Sequence, residues 1–253
     1  MTSFPKTKWL RWLLLICLIR SCPAVEVVAD SGQRRVALIE LYSSEGCSSC
    51  PPADRWLGKL VQADRLWRDF VPVEFHVDYW DGLGWKDGYA LPIFTQRQRA
   101  YAVEWGATNV YTPEFVLNGK EWRSSWAQRD VPLEDDKSPG RLQVERISAT
   151  DFRVVFHPAA AFAGGEALVA PLGFDRVSDV ARGENAGSRL AHQFVALALY
   201  KVTLTTTGTR GDWTGTVSVP AETFGGKRTG LAAWVSAKGS QVPLQAAGGW
   251  LTK

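Results

Sequence analysis

The chain has 253 residues, 29 basic and 26 acidic, with 45% hydrophobic and 22% charged side chains, the composition of a folded globular protein. That length gives room for one large domain or two small ones, with a core that needs no disulfide staples. The near balance of charge gives no argument for a nucleic-acid partner.

The first segment reads as a leader. Lys6, Lys8 and Arg11 precede the apolar run 12–19, which is too short to span a bilayer. We read 1–24 as a signal peptide, with cleavage after Ala24 or as late as Ala29, and an uncleaved anchor as its rival. The expected protein is exported, to the periplasm or outside the cell, with no membrane span in the mature chain. Cys22 suggests a lipoprotein, but Arg20 stands where small residues are required. Cleavage removes four basic residues and no acidic ones, leaving 25 against 26. It also removes Cys17 and Cys22, so Cys47 and Cys50 are the cysteines that stay.

Residues 36–42 are apolar apart from Glu40 and predict a buried strand. Glu40 has two readings: an end residue reaching water, or a partly buried base relaying protons to the second cysteine. Next comes Gly46-Cys47-Ser48-Ser49-Cys50-Pro51-Pro52-Ala53-Asp54. Proline suits a first helical turn, so the helix begins near Cys50, with Asp54 favourable against its dipole. A dithiol between a strand and a helix is a redox setting, because the helix N-terminus stabilises a thiolate. An oxidising compartment keeps such a pair as a disulfide until something reduces it.

Residues 71–77 alternate as a second strand. Alternation puts His76 and Asp78 on one face, as a proton relay, a metal ligand with its orienting partner, or a structural hydrogen bond. Asp81-Gly82 and Asp87-Gly88 are turn signals. A helix follows over 94–105. Thr112-Pro113 then opens a strand that turns at Asn118-Gly119, a type I′ hairpin signal. The polar stretch 122–140 reads as a boundary. Beyond it, strands are predicted at 141–148, 151–157, 166–172, 194–206, 213–219 and 230–236. The piece from Arg182 to Gly187 is either a Gly-rich connection or a loop packed against the cysteine-bearing part. Trp80, Trp85, Trp105, Trp122 and Trp126 read as core and interdomain packing, or as an aromatic substrate groove.

From 36 to 122 the order of elements resembles a thioredoxin domain. More narrowly, the chain resembles the exported family known as domain-of-unknown-function family 1223. The residues that carry this are the Gly46–Asp54 run, His76-Val77-Asp78-Tyr79-Trp80-Asp81, Gly84-Trp85-Lys86-Asp87, Arg97-Gln98, Tyr111-Thr112-Pro113 and Gly183-Glu184-Asn185. The resemblance implies an α/β thioredoxin-like N-terminal domain over 34–135, and the strand and turn signals after it predict an all-β, sandwich-like domain over 140–253. It implies Cys47 as the attacking thiolate, Cys50 as the resolving thiol, and Pro113 in cis holding the substrate strand. Gly46 in place of Trp, Ser48-Ser49 in place of Gly-Pro, and the double proline are departures that bear on redox direction.

Three functions follow. The first is an exported thiol–disulfide oxidoreductase acting on a protein or small-molecule thiol or disulfide, with Glu40 or His76 (and Asp78 beside it) handling the proton and no bound cofactor. The second is a Cu(I) module on Cys47, Cys50 and His76. The third is a non-catalytic interaction protein with an inert disulfide. The redox reading requires a Cys47 sulfur that is ionised near neutrality and open to attack.

Overall fold

A computed structural model describes residues 1, 25–123, 130–132, 138–207 and 211–252. The leader, Trp126 and much of the boundary segment lie outside the described residues. The chain runs β1 (Glu26–Asp30), β2 (Ala37–Ser43), α1 (Pro51–Lys59), β3 (Phe70–His76), α2 (Pro92–Trp105), β4 (Glu114–Leu117) and β5 (Lys120–Glu121). It continues with β6 (Gly140–Arg146), β7 (Asp151–Pro158), β8 (Gly165–Gly173), β9 (Arg176–Asp179), β10 (Arg189–His192) and β11 (Val195–Ala196). The last strands are β12 (Tyr200–Thr203), β13 (Thr205–Thr207), β14 (Asp212–Ser218), β15 (Thr229–Ala237) and β16 (Pro243–Thr252).

The expected α/β thioredoxin-like domain followed by an all-β domain is corrected. Of the described residues, 43% lie in strands and 17% in helices, and the strands make three sheets. The largest has nine strands, in the order β16-β15-β8-β11-β3-β2-β4-β5, with β12 also on β8. β2 and β3 are parallel, and β11 joins β3 in parallel at Val195 and Glu74. β11 then pairs antiparallel with β8. The free edge of β3 is thus taken by a segment over 100 residues later, and the early strands become one side of a larger mixed sheet. Periodicity predicts β2, β3, β6, β7, β8, β14 and β15, misses β1, β9, β10 and β16, and reads as one strand, 194–206, what the structure divides into β11, β12 and β13. It says nothing about which edge a strand joins.

Strand alternation explains the two cores. On β8, Ala170 and Leu172 enter one core, while Ala167 and Val169 enter the other. β15 does the same, with Ala232 and Trp234 on one side and Leu231, Ala233 and Val235 on the other. Successive side chains of a strand point to opposite faces. One face is covered by α1 and α2 through Ala53, Leu57, Phe94 and Tyr101. The other meets the five-stranded sheet β1-β6-β7-β14-β13 through Val28, Leu142, Val144, Phe152 and Phe156. β2 is buried along its whole length, as a strand covered on both faces must be. Gly249 has the small side that β1 needs, since a Cβ there would fall 1.9 Å from the Val28 carbonyl oxygen.

Candidate functional site: a buried dithiol at the start of α1

β2 ends at Ser43, and the chain turns through residues 44–50 into α1. The turn is held by its own backbone: the Cys47 amide donates to the Ser44 carbonyl at 3.1 Å and the Cys50 amide to the Cys47 carbonyl at 3.2 Å. Pro51 and Pro52 occupy the first turn of the helix, where a missing N–H costs nothing. Both cysteines are free thiols.

The Cys47 sulfur lies 3.2 Å from Ser49 Oγ and 3.8 Å from the Thr112 carbonyl oxygen. Thr112 precedes Pro113 across a cis peptide bond, immediately before the strand that begins at Glu114. Trp80 Nε1 donates to Thr112 Oγ1 at 2.8 Å, fixing that side chain. Hydrogen bonding to Cys50, and then to Ser49 and Thr112, outweighs burial and holds the Cys47 thiol at about 6. Burial, with the Cys47 sulfur beside it, pushes the Cys50 thiol far up. The two sulfurs are therefore unequal: one is ionised at neutral pH and the other keeps its proton.

The expectation of an open sulfur is not met. Cys47 is 0% and Cys50 2% exposed, although Ser48 and Ser49 between them are exposed. The loop 182–187 packs on this turn. Asn185 Nδ2 donates to the Glu45 and Cys47 carbonyls at 2.8 and 3.0 Å, and the Ser48 amide donates to Glu184 at 3.0 Å. Of its two sequence readings, the packed loop is the one observed.

Glu40 is fully buried, but not as a relay to Cys50. Arg97 clamps its carboxylate with Nε at 2.6 Å and a terminal nitrogen at 3.1 Å. The Tyr42 and Tyr101 hydroxyls donate to it at 2.9 and 2.6 Å. Four donors fill the lone pairs of both oxygens, so neither reading of Glu40 stands as written: it is the anion of a structural ion pair. His76 and Asp78 are also separated. His76 Nδ1 pairs with Asp87 at 2.7 Å, whereas Asp78 accepts from the Thr95 hydroxyl of α2 at 2.6 Å. Among the described residues His76 forms no ligand group with the two cysteines; it groups with Glu74 and His192. The proposed Cys47–Cys50–His76 copper site is therefore not assembled.

The family model for proteins of unknown function named DUF1223 matches residues 38–236. The chain belongs to the DUF1223 family. No curated protein matches it. This DUF1223 chain is similar to a crystal structure of a protein from Agrobacterium tumefaciens. The two are 25% identical, with a TM-score of 0.59 over 87% of this chain and 96% of that one. It also shares its fold with HBP35 of Porphyromonas gingivalis. There the identity is 14% and the TM-score 0.60, over 86% of this chain and 76% of that one.

Within this DUF1223 chain, sequence reasoning missed Ser49, Asp87 and His192 as site residues. Asp87 was hidden behind a turn signal, because Asp-Gly is read as chain geometry before chemistry. His192 had a usable signal: the chain has 3 histidines, and scarcity makes each worth tracing. Among the described residues, Trp56, Trp80, Trp85, Trp105 and Trp122 serve packing and positioning. Trp56 and Trp122 lie edge to face at 5.5 Å, while Trp85 Nε1 donates to Glu45 at 2.7 Å.

Proposed function

We propose that this DUF1223 protein is an exported thiol–disulfide oxidoreductase whose dithiol is held closed until a substrate or partner opens it. The carrying observation is the sulfur geometry: two thiols one turn apart at the start of α1, the first within reach of Ser49 and of the Thr112 carbonyl beside cis-Pro113. Side-chain donors on Cys50, Ser49 and Thr112 favour the thiolate of the first sulfur, whereas the Thr112 carbonyl accepts from its thiol form. In the reductive direction, the Cys47 thiolate attacks one sulfur of a substrate disulfide. A mixed disulfide forms and one substrate thiolate leaves, taking up a proton. Cys50 then gives up its proton and attacks Cys47, releasing the second substrate thiol. Two electrons pass to the substrate, and the protein is left with a Cys47–Cys50 disulfide. The oxidative direction is the same sequence reversed.

Burial of Cys47 makes opening part of the reaction. The turn must part from Thr112 or from the loop at Asn185 before an incoming sulfur can align. The fully substituted carboxylate of Glu40 leaves no acceptor there for the Cys50 proton, so the departing thiolate takes that role. The test is equilibration of the purified protein with glutathione redox buffers, followed by acid trapping and mass measurement. A reversible loss of two hydrogens that disappears in Cys47→Ser supports the proposal. A dithiol that stays unreacted in folded protein over days overturns it.

A further inference from the structure

We propose that Glu74, His76 and His192 form a buried site for one divalent transition-metal ion, with Zn²⁺ as the best fit. Each residue offers one ligand atom, and these atoms lie within 4.8 Å of one another. Glu74 and His76 are 0% exposed and His192 is 2%. Both imidazole Nε2 atoms and both Glu74 oxygens lack a hydrogen-bond partner. Buried polar atoms are rarely left so, since each orphan costs about 1–3 kcal/mol. Here four of them sit on three neighbouring residues.

The other ends of the rings are already arranged as metal ligands require. His76 Nδ1 is held by Asp87 at 2.7 Å, and His192 Nδ1 by Asp54 at 2.7 Å. A carboxylate on the far nitrogen fixes the ring and makes Nε2 the donor to an ion. A plain network of charged pairs accounts for the Nδ1 contacts but not for the Nε2 side. Charge-assisted N–H···O bonds close to about 2.7–2.9 Å, whereas His76 Nε2 stands 3.6 Å from Glu74 Oε1. His192 Nε2 stands 3.4 Å from Glu45 Oε1, which is itself unpartnered. Those gaps are too long for a good hydrogen bond. Of the two, the His76–Glu74 gap joins proposed ligands, and it is close to the separation of about 3.3–3.4 Å between two donors on one tetrahedral ion at bonds of about 2.0–2.1 Å.

Imidazole and carboxylate donors without sulfur favour Zn²⁺ and its divalent neighbours over Cu(I). Complete burial makes the site structural: it ties β3 to β10, and through Asp54 to the first turn of α1. It is distinct from the cysteine pair and stands or falls independently of the redox reading.

The experiment uses the full chain, stripped by a chelator and titrated with Zn²⁺ alone, then with Co²⁺ alone. The expected results are one Zn²⁺ per chain by elemental analysis, a raised Tm, and a Co²⁺ spectrum with strong tetrahedral visible bands but no thiolate charge-transfer band. Binding persists in the Cys47→Ser/Cys50→Ser double variant, is lost in His192→Gln, and weakens about 10–100-fold in Asp54→Asn. A stripped protein that takes up neither metal overturns the proposal. So does a thiolate band together with loss of binding in the double cysteine variant. Should His192→Gln fail to fold, the Co²⁺ spectra of the wild type and the double cysteine variant decide alone.

Discussion

The ionisation of Cys47 is the quantity on which the redox reading turns. With the thiol at about 6 against an ordinary 9.0, about 90% of it is thiolate at pH 7 instead of about 1%. Intrinsic nucleophilicity falls with pKa at a slope of about 0.4–0.5, so three units cost about 15–30-fold and the net gain at pH 7 is only about 3–6-fold. The rate is therefore a poor readout and the midpoint a good one. Alkylation of reduced protein by iodoacetamide, followed from pH 4 to 10 by mass, should titrate with a midpoint near 6. Burial slows every point on that curve without moving its centre. Ser49→Ala removes a hydrogen bond to a charged sulfur, worth about 1.5–3 kcal/mol, and should shift the midpoint upward by about 1–2 units. The folded value lies below the unfolded one. Reduced protein therefore gains stability as pH rises from about 6 towards 9, and loses it as pH falls through about 6. A midpoint near the free-thiol value, unmoved by Ser49→Ala, would refute the reasoning.

Three further outcomes are expected. Asn185→Ala leaves the Glu45 and Cys47 carbonyls without their shared donor. A loss of about 1–3 kcal/mol from the closed turn should speed native-state labelling of Cys47 by about 5–150-fold, and an unchanged rate would show that the loop does not restrain it. Arg97→Met strands the buried Glu40 carboxylate, at a cost of about 3–5 kcal/mol, which for a chain of this size lowers Tm by about 6–20 °C. Glu40→Gln should also destabilise, yet leave the exchange rate per folded molecule unaltered; a selective loss of exchange would restore Glu40 to the proton path. Glu114, whose carboxyl burial raises to about 7 from 4.5, works in the opposite direction to Cys47. Its contribution is complete below pH 4.5 and is lost as pH rises through about 7. Glu114→Gln should therefore gain on the wild type in urea midpoint at pH 8 but not at pH 4, and equal curves at both would count against that assignment.

Local elements were legible because they depend on near neighbours. The apolar run before the cysteines, the double proline after them and the Asn118-Gly119 turn each carry their own geometry. Asn118 and Gly119 have φ of 50° and 78°, the positive pair that a type I′ turn demands. Glu40 was visible as an anomaly in an apolar strand, but its partner Arg97 sits 57 positions away. His76 and Asp78 share a strand face on paper. The chain leaves the strand after His76, however, and Asp78 turns to α2 while Asp87 folds back onto His76.

From the sequence alone came the dithiol, its helix, the strand that follows Thr112 and Pro113, and most of the short strands beyond it. Those are contributions of spacing, proline and glycine geometry, and hydrophobic period, all of which act within a few residues. Tertiary structure alone decided that β11 takes the open edge of β3, that His192 arrives opposite His76, and that Asn185 closes on the Cys47 turn. Each joins segments over 100 residues apart, and no local pattern encodes which distant edge or donor will satisfy a buried group.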